Sequence, residues 1–123
     1  MASGTRVSKR IHAAIALMFD RRVSRILAYR DAMDMRKSFD GLLGAVRAFD
    51  ADPLSGTLFV FINRRGNYLK SIFWDRTGYC LFAKRLERGR FSFPLENQEQ
   101  ELSAQVFALL LDGIVLGRRR KMS

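Results

Sequence analysis

The sequence predicts a single α+β domain, in which an antiparallel β-meander of four to five strands carries two helices packed on one face. The 123 residues fit one small domain. Apolar residues at helical spacing follow a first short strand, and glycine-bearing turns then separate further strands at nearly regular intervals. We place the domain at residues 25–116, between a basic, flexible extension at residues 1–24 and a basic tail at residues 117–123.

The first part of the domain predicts a strand, a helix and a turn. The strand covers residues 25–29, and Asp34 is expected to cap the helix that follows. Apolar residues then recur at i, i+4, i+7, i+11 and i+14, which is the pattern of one helical stripe. These residues are Met35, Phe39, Leu42, Val46 and Phe49. Turn-forming residues at 52–56 end the helix.

The middle of the chain predicts the meander. The continuous apolar run at residues 58–62 is typical of a strand buried on both faces. Residues 63–67 form the predicted hairpin turn, with Gly66 placed for a positive φ. Further strands are expected at residues 68–74, 79–87 and 90–93.

Capping residues predict the last helix. Ser103 is a suitable N-cap, and Leu102 and Phe107 are spaced as a hydrophobic staple across it. Gly113 stands where a left-handed C-terminal cap is expected.

The charge of the chain is strongly positive, with 22 Lys and Arg against 12 Asp and Glu and a formal net charge of +10. The segment 56–95 alone has a net charge of +6 and coincides with the meander. A basic field on an ordered sheet favours a polyanionic partner such as nucleic acid. The alternative is that the charge serves only solubility.

The candidate nucleic-acid-binding residues are seven of the eight cations of this segment, because guanidinium groups bind phosphate oxygens and the interleaved aromatic rings stack on unpaired bases. They are Arg64, Arg65, Lys70, Lys84, Arg85, Arg88 and Arg90. In the alternative interpretation the aromatic residues are core, the cations are solvated, and Glu87 forms exposed ion pairs with its neighbours.

The sequence gives little support to catalysis. Asp31, Asp34 and Asp40 are a conceivable magnesium site, but acidic residues near a helix N-terminus are favoured by the helix dipole alone. His12 has no catalytic partner nearby, and Cys80 is expected to be a small buried side chain. We therefore predict no enzyme, catalytic residue, metal site, cofactor or small-molecule substrate. We also predict no membrane contact and a cytoplasmic location, because the apolar stretch near the N-terminus is too short to cross a bilayer.

Several motifs occur in an order that resembles the TnpB-type accessory protein of insertion sequences of family sixty-six. They lie at residues 34–42, 52–56, 58–66, 74–75 and 80–91. The resemblance implies a small bacterial protein encoded beside a larger transposase and needed for efficient movement of the element. It also implies that the transposase carries the catalytic carboxylates, so no catalytic residue is transferred to this chain.

Together these observations predict a non-catalytic accessory factor for DNA transposition that binds DNA through its basic meander. The predicted partners are DNA and the transposase of the same element. The alternative is a protein–protein module that docks onto the transposase, through the same surface or through the helix at residues 103–112, with no direct DNA role. A small nuclease that uses the three aspartates is a third and less favoured hypothesis.

Overall fold

The computed structural model describes residues 23–48, 51–92 and 101–113, which form five strands and two helices. The elements are β1 (Arg25–Ala28), α1 (Phe39–Ala48), β2 (Thr57–Ile62), β3 (Tyr68–Trp74), β4 (Tyr79–Arg85), β5 (Glu101–Leu102) and α2 (Ala104–Leu111). This arrangement confirms the predicted α+β class.

All five strands belong to one sheet with the order β4-β3-β2-β1-β5. The strands β2, β3 and β4 form the antiparallel meander that the sequence predicts. In contrast, β1 runs parallel to β2 and pairs on its other side with β5 in the antiparallel sense. The sheet is therefore mixed rather than wholly antiparallel, because α1 forms a crossover that lets β2 start at the same end of the sheet as β1.

The central strand β2 is buried on both faces, as its apolar run predicts. Leu58, Val60 and Ile62 face one hydrophobic cluster, and Phe59 and Phe61 face the other. This alternation follows from the two-residue period of a strand. A strand that is apolar on both sides requires a covering layer on each side of the sheet.

The two helices supply these layers from opposite sides, so the prediction that both pack on one face is wrong. We call the two sides of the sheet the α1 face and the α2 face. The α1 face is covered by Leu42, Leu43 and Val46. The α2 face is covered by Phe107, Leu110 and Leu111.

Helix α1 begins at Phe39, so Asp34 is not its N-cap. Instead, Asp34 Oδ1 accepts a hydrogen bond from Arg36 N at 2.9 Å, and the Asp34 carbonyl accepts one from Lys37 N at 3.1 Å. Such local side-chain bonds hold the backbone in a turn and compete with helix formation. The helical stripe is shortened accordingly: Met35 lies before the helix, and Phe39 is 42% exposed.

The predicted caps of α2 are present. Ser103 Oγ accepts a hydrogen bond from Val106 N at 3.1 Å. Gly113 has a φ of +75°, and its N–H donates to the Leu110 carbonyl at 3.0 Å. Both interactions satisfy backbone groups that a helix terminus leaves without a partner.

The predicted strand at residues 90–93 does not form: residues 90–92 have no strand pairing, and Phe93 lies outside the described residues. The strand β4 also ends at Arg85, before Glu87. After β4 the chain turns back onto the β2–β3 hairpin, which Leu86 and Phe91 contact through their backbone N–H groups. This change of direction shapes the candidate site.

Several predictions concern residues outside the described part of the chain. Most of the predicted N-terminal extension, Phe49 and the tail at residues 117–123 lie there, and the domain boundaries stay a prediction. Val23 is already buried in the α2-face cluster, and Ser24 N donates to the Gly56 carbonyl at 3.0 Å. Within the described ranges, no helix combines the length and apolar character that a bilayer crossing needs.

Candidate nucleic-acid interface

Three connecting segments meet at one end of the sheet. Because β1, β2 and β4 point in the same direction, their carboxyl ends lie at the same edge. The segments that follow these strands are residues 29–38, residues 63–67 and residues 86–92. We call this edge the basic end of the sheet, for the cations that these segments carry.

The hairpin at residues 63–67 is held by the Asn63 side chain. Its Oδ1 accepts hydrogen bonds from Asn67 N at 3.0 Å and Tyr68 N at 3.1 Å, and its Nδ2 donates to Asn67 Oδ1 at 2.9 Å. Gly66 has the positive φ that the sequence predicts, +77°. These bonds fix the hairpin backbone and leave Arg64 and Arg65 exposed at its tip.

The segment 86–92 is attached to this hairpin at both ends. Leu86 N donates to the Asn67 carbonyl at 2.8 Å, and Phe91 N donates to the Gly66 carbonyl at 2.7 Å. The Phe91 side chain is buried in the α2-face cluster. Arg88 and Arg90 therefore project from a short loop that is anchored beside the hairpin, and both are exposed.

Tyr68 brings two more cations to the same end, on the α1 face. The guanidinium carbon of Arg85, which lies opposite Tyr68 in the sheet, is 5.0 Å from the centre of the tyrosine ring. Lys70 Nζ is 5.8 Å from the same point and donates to the Lys37 carbonyl at 2.8 Å. These distances fall in the range of cation–π contacts, which favour a positive charge over a ring.

Lys84 lies apart from the other six candidate residues. It projects to the α2 face, where its Nζ donates to the Leu111 carbonyl at 2.7 Å. A cation at a helix C-terminus is stabilised by the helix dipole, so this position has a structural role. The structure therefore brings Arg64, Arg65, Lys70, Arg85, Arg88 and Arg90 to or beside the basic end and places Lys84 on the other side of the sheet.

Within the part of the chain that the structure describes, the ion pairs involve cations other than the six at the basic end. Arg25 pairs with Glu101 at 3.3 Å and Arg36 pairs with Asp34 at 2.7 Å. Among the described residues, no carboxylate forms an ion pair with any of the seven candidates. Carboxylates of the described residues therefore leave the positive charge of this end uncompensated.

The Asp34–Arg36 pair is an internally balanced element of the same end. Arg36 Nε lies 3.1 Å from both carboxylate oxygens, and Arg36 Nη2 lies 2.7 Å from Oδ2. These hydrogen bonds to Arg36 hold the pKa of Asp34 well below its ordinary range, and the carboxylate in turn raises the pKa of Arg36. The pair links two neighbouring residues of the segment 29–38 without adding net charge.

Two grooves flank the hairpin. The larger, about 880 Å³, lies between residues 32–36 on one wall and Asn63, Arg64, Arg65 and Tyr68 on the other. The smaller, about 220 Å³, lies between residues 29–32, the hairpin, and Arg90 with Phe91. The hairpin tip with its arginines therefore forms a wall shared by both grooves.

The other hypothetical sites receive no support from the geometry. The described ranges contain no group of three or more His, Cys, Asp or Glu side chains placed to hold a metal ion. Asp34 forms an ion pair with Arg36, and Asp40 is exposed in the first turn of α1. Cys80 is half-buried, with its Sγ 3.5 Å from Asp75 Oδ2.

Sequence reasoning missed the contribution of the segment 29–38 to this site. Met33, Met35 and Arg36 line the larger groove, although the sequence predicts a turn at residues 31–34 and a helix from Met35 onward. The missing information was the parallel pairing of β1 with β2, which places their carboxyl ends side by side.

The fold and the site define a small mixed α+β domain whose sheet has one basic, grooved end. The chain belongs to the family described as "IS66 Orf2 like protein", whose profile matches residues 24–121. This match confirms the family resemblance that the sequence motifs indicate. Membership of the family supports an accessory role in transposition.

Two relatives come from Sinorhizobium fredii. The chain is 37% identical to "Uncharacterized protein y4jC" over 92 residues, which cover 73% of this chain and 79% of the relative. It is 45% identical to "Uncharacterized protein y4hO" over 83 residues, which cover 66% of this chain and 72% of the relative. No solved structure matches the chain.

Proposed function

We propose that this protein is a non-catalytic accessory factor of transposition that binds DNA through the basic end of its sheet. The proposal rests on one observation: exposed guanidinium groups from the hairpin, from the end of β4 and from the segment 86–92 lie at or beside this end without carboxylate partners among the described residues. These groups belong to Arg64, Arg65, Arg85, Arg88 and Arg90.

The chemistry of these side chains suits the phosphate backbone. Each guanidinium presents a planar fork of donors that matches two phosphate oxygens. The hairpin and the segment 86–92 are bonded to each other, so their backbones lose little freedom on binding. Contacts of this kind position a protein on DNA, and they make its affinity depend on salt because each contact releases condensed counterions.

The test is a salt titration of binding to a duplex fragment of the insertion sequence, followed by fluorescence anisotropy. Each phosphate contact contributes about 0.9 to the slope of log affinity against log salt, so five contacts predict a slope of about −4.5. Replacing Arg85, Arg88 and Arg90 together by alanine is expected to reduce the slope by about 2.7 in magnitude.

Lys84→Gln is the matched control, because it removes a cation of the same meander that faces α2 instead of the basic end. We expect it to leave the slope unchanged. Absence of salt-sensitive binding by the wild type would remove the proposal. An equal loss of slope per charge in Lys84→Gln and in the triple variant would show that net charge alone governs binding.

Binding to the transposase of the same element stays a prediction, and so does the cytoplasmic location. Docking through α2 is the weaker route to the transposase, because Phe107, Leu110 and Leu111 are buried in the core. Leu109 is the exposed large apolar residue on this helix, at 41% exposure. Co-purification with the transposase after nuclease treatment separates direct docking, which survives the treatment, from association through shared DNA.

A further inference from the structure

Resting on the proposed function, we propose that the larger groove binds an unstacked nucleobase, so that the basic end prefers single-stranded DNA to an intact duplex. The groove runs between the segment 32–36 and the hairpin and is lined by residues from both. Base insertion determines which form of DNA the site binds, whereas the proposed DNA binding by the basic end requires only contact with phosphates.

The lining of this groove is the first argument. Met33 is buried, Met35 and Tyr68 are half-buried, and all three line the groove. Contact with phosphates alone requires no apolar or aromatic lining. Methionine thioethers pack well against flat aromatic rings, and tyrosine rings are common stacking platforms for single-stranded bases.

The arrangement of charge around the lining is the second argument. Arg64 and Arg65 stand on the hairpin wall, and the Arg85 guanidinium carbon lies over the Tyr68 ring, 5.0 Å from its centre. A base that stacks on this ring face replaces the Arg85 guanidinium there, and the displaced cation is then available to a phosphate beside the base. On the opposite wall Asp34 is neutralised by Arg36, so its carboxylate does not oppose the approach of a phosphate.

The size of the groove is the third argument. The groove is open to solvent, and its volume of about 880 Å³ is ample for a single nucleobase with its sugar. A paired base inside a duplex is not available for insertion, so only unpaired DNA uses the larger groove fully.

The experiment measures anisotropy at one salt concentration with a labelled single strand and with the duplex of the same sequence. The wild type is expected to bind the single strand more tightly. Tyr68→Leu is expected to weaken single-strand binding by about fivefold or more, the effect of losing one base–aromatic stack, with little change for the duplex. Tyr68→Phe keeps the ring and is expected to keep the preference.

Tyr79→Leu is the matched control: Tyr79 also lies on the α1 face but at the other end of the β3–β4 pair, against Trp74. We expect it to leave the preference unchanged. Thermal melts by circular dichroism establish that each variant folds. If Tyr68→Leu fails to fold, Met35→Ala serves instead, because Met35 precedes α1 and lines the same groove.

The outcomes separate this inference from the proposed function. Equal or tighter binding of the duplex by the wild type would overturn the inference and leave DNA binding by the basic end intact. The same follows if the groove variant weakens both DNA forms equally. If neither DNA form binds, both proposals fail.

Discussion

Replacing Gly66 by alanine is expected to destabilise the basic end through two separate effects. Gly66 has a φ of +77°, a left-handed conformation that costs an L-residue about 1–2 kcal/mol. An alanine Cβ at this position would also lie 3.0 Å from Arg90 Nε and 3.4 Å from Arg90 Nη2, so the guanidinium must move. We therefore expect the free energy of unfolding to fall by at least about 1–2 kcal/mol.

Substitutions at two other glycines serve as comparisons for the destabilisation expected of Gly66→Ala. Gly89 has a similar φ of +80°, but an alanine Cβ there would meet no atom within 4 Å beyond its chain neighbours, so Gly89→Ala reports the backbone cost alone. Gly44 lies in α1 with open space around it, so Gly44→Ala is expected to raise stability by about 1 kcal/mol. The expected order of stability is Gly44→Ala, wild type, Gly89→Ala and Gly66→Ala.

Urea denaturation monitored by far-ultraviolet circular dichroism measures all four proteins on one scale. If the slope of the unfolding free energy against urea concentration is the same for all four proteins, each substitution acts on stability and not on the surface exposed by unfolding. If Gly66→Ala is as stable as the wild type, the left-handed backbone is not required there. If Gly89→Ala costs as much as Gly66→Ala, the contact with Arg90 contributes nothing.

Two further predictions concern charged side chains. Lys84→Met removes the hydrogen bond to the Leu111 carbonyl and is expected to lower the free energy of unfolding by about 1 kcal/mol in the same urea assay. An unchanged free energy of unfolding would contradict the role of Lys84 at the C-terminus of α2. Asp34 is expected to titrate below its ordinary pKa of 3.8 in a carboxyl NMR titration, and Arg36→Ala to return it toward that value. The ion pair contributes its full stabilisation above the ordinary pKa of Asp34, and this contribution is lost as the pH falls through the lowered pKa of the folded state. A titration midpoint of Asp34 at or above 3.8 would refute the pairing.

The elements that the sequence predicts correctly are those specified by local chemistry. The apolar run in β2, the positive φ of Gly66 and the caps at Ser103 and Gly113 each depend on a few adjacent residues. The family is also recognised from short motifs. Such features need no knowledge of which strands become neighbours.

The incorrect predictions concern long-range arrangement or competing local bonds. Parallel pairing of β1 with β2 depends on the crossover through α1, which no short pattern specifies. The placement of the helices on opposite faces was nevertheless inferable, because β2 is apolar on both sides and each side needs a cover. Asp34 is a suitable cap by residue type, but its bonds to Arg36 favour a turn instead.

In the candidate site, too, local chemistry was predictable from the sequence and long-range placement was not. Of the seven candidate cations, six lie at or beside one end of the sheet. Lys84 is separated from its neighbour Arg85 because successive side chains of a strand point to opposite faces. The groove-lining methionines had no sequence signal as binding residues, because their position depends on the pairing of β1.

The pairing of β1 with β5 has a consequence for how this protein is made. Arg25 and Glu101 are 76 positions apart in the chain, yet they form an ion pair across these two neighbouring strands. Until residues 101–113 are available, β1 lacks β5 at its edge, and the α2 face of β2 lacks the cover of Phe107, Leu110 and Leu111. The sheet therefore reaches its final form only after residues 101–113 have left the exit tunnel, and until then the nascent chain presents an open edge and apolar surface that chaperones recognise.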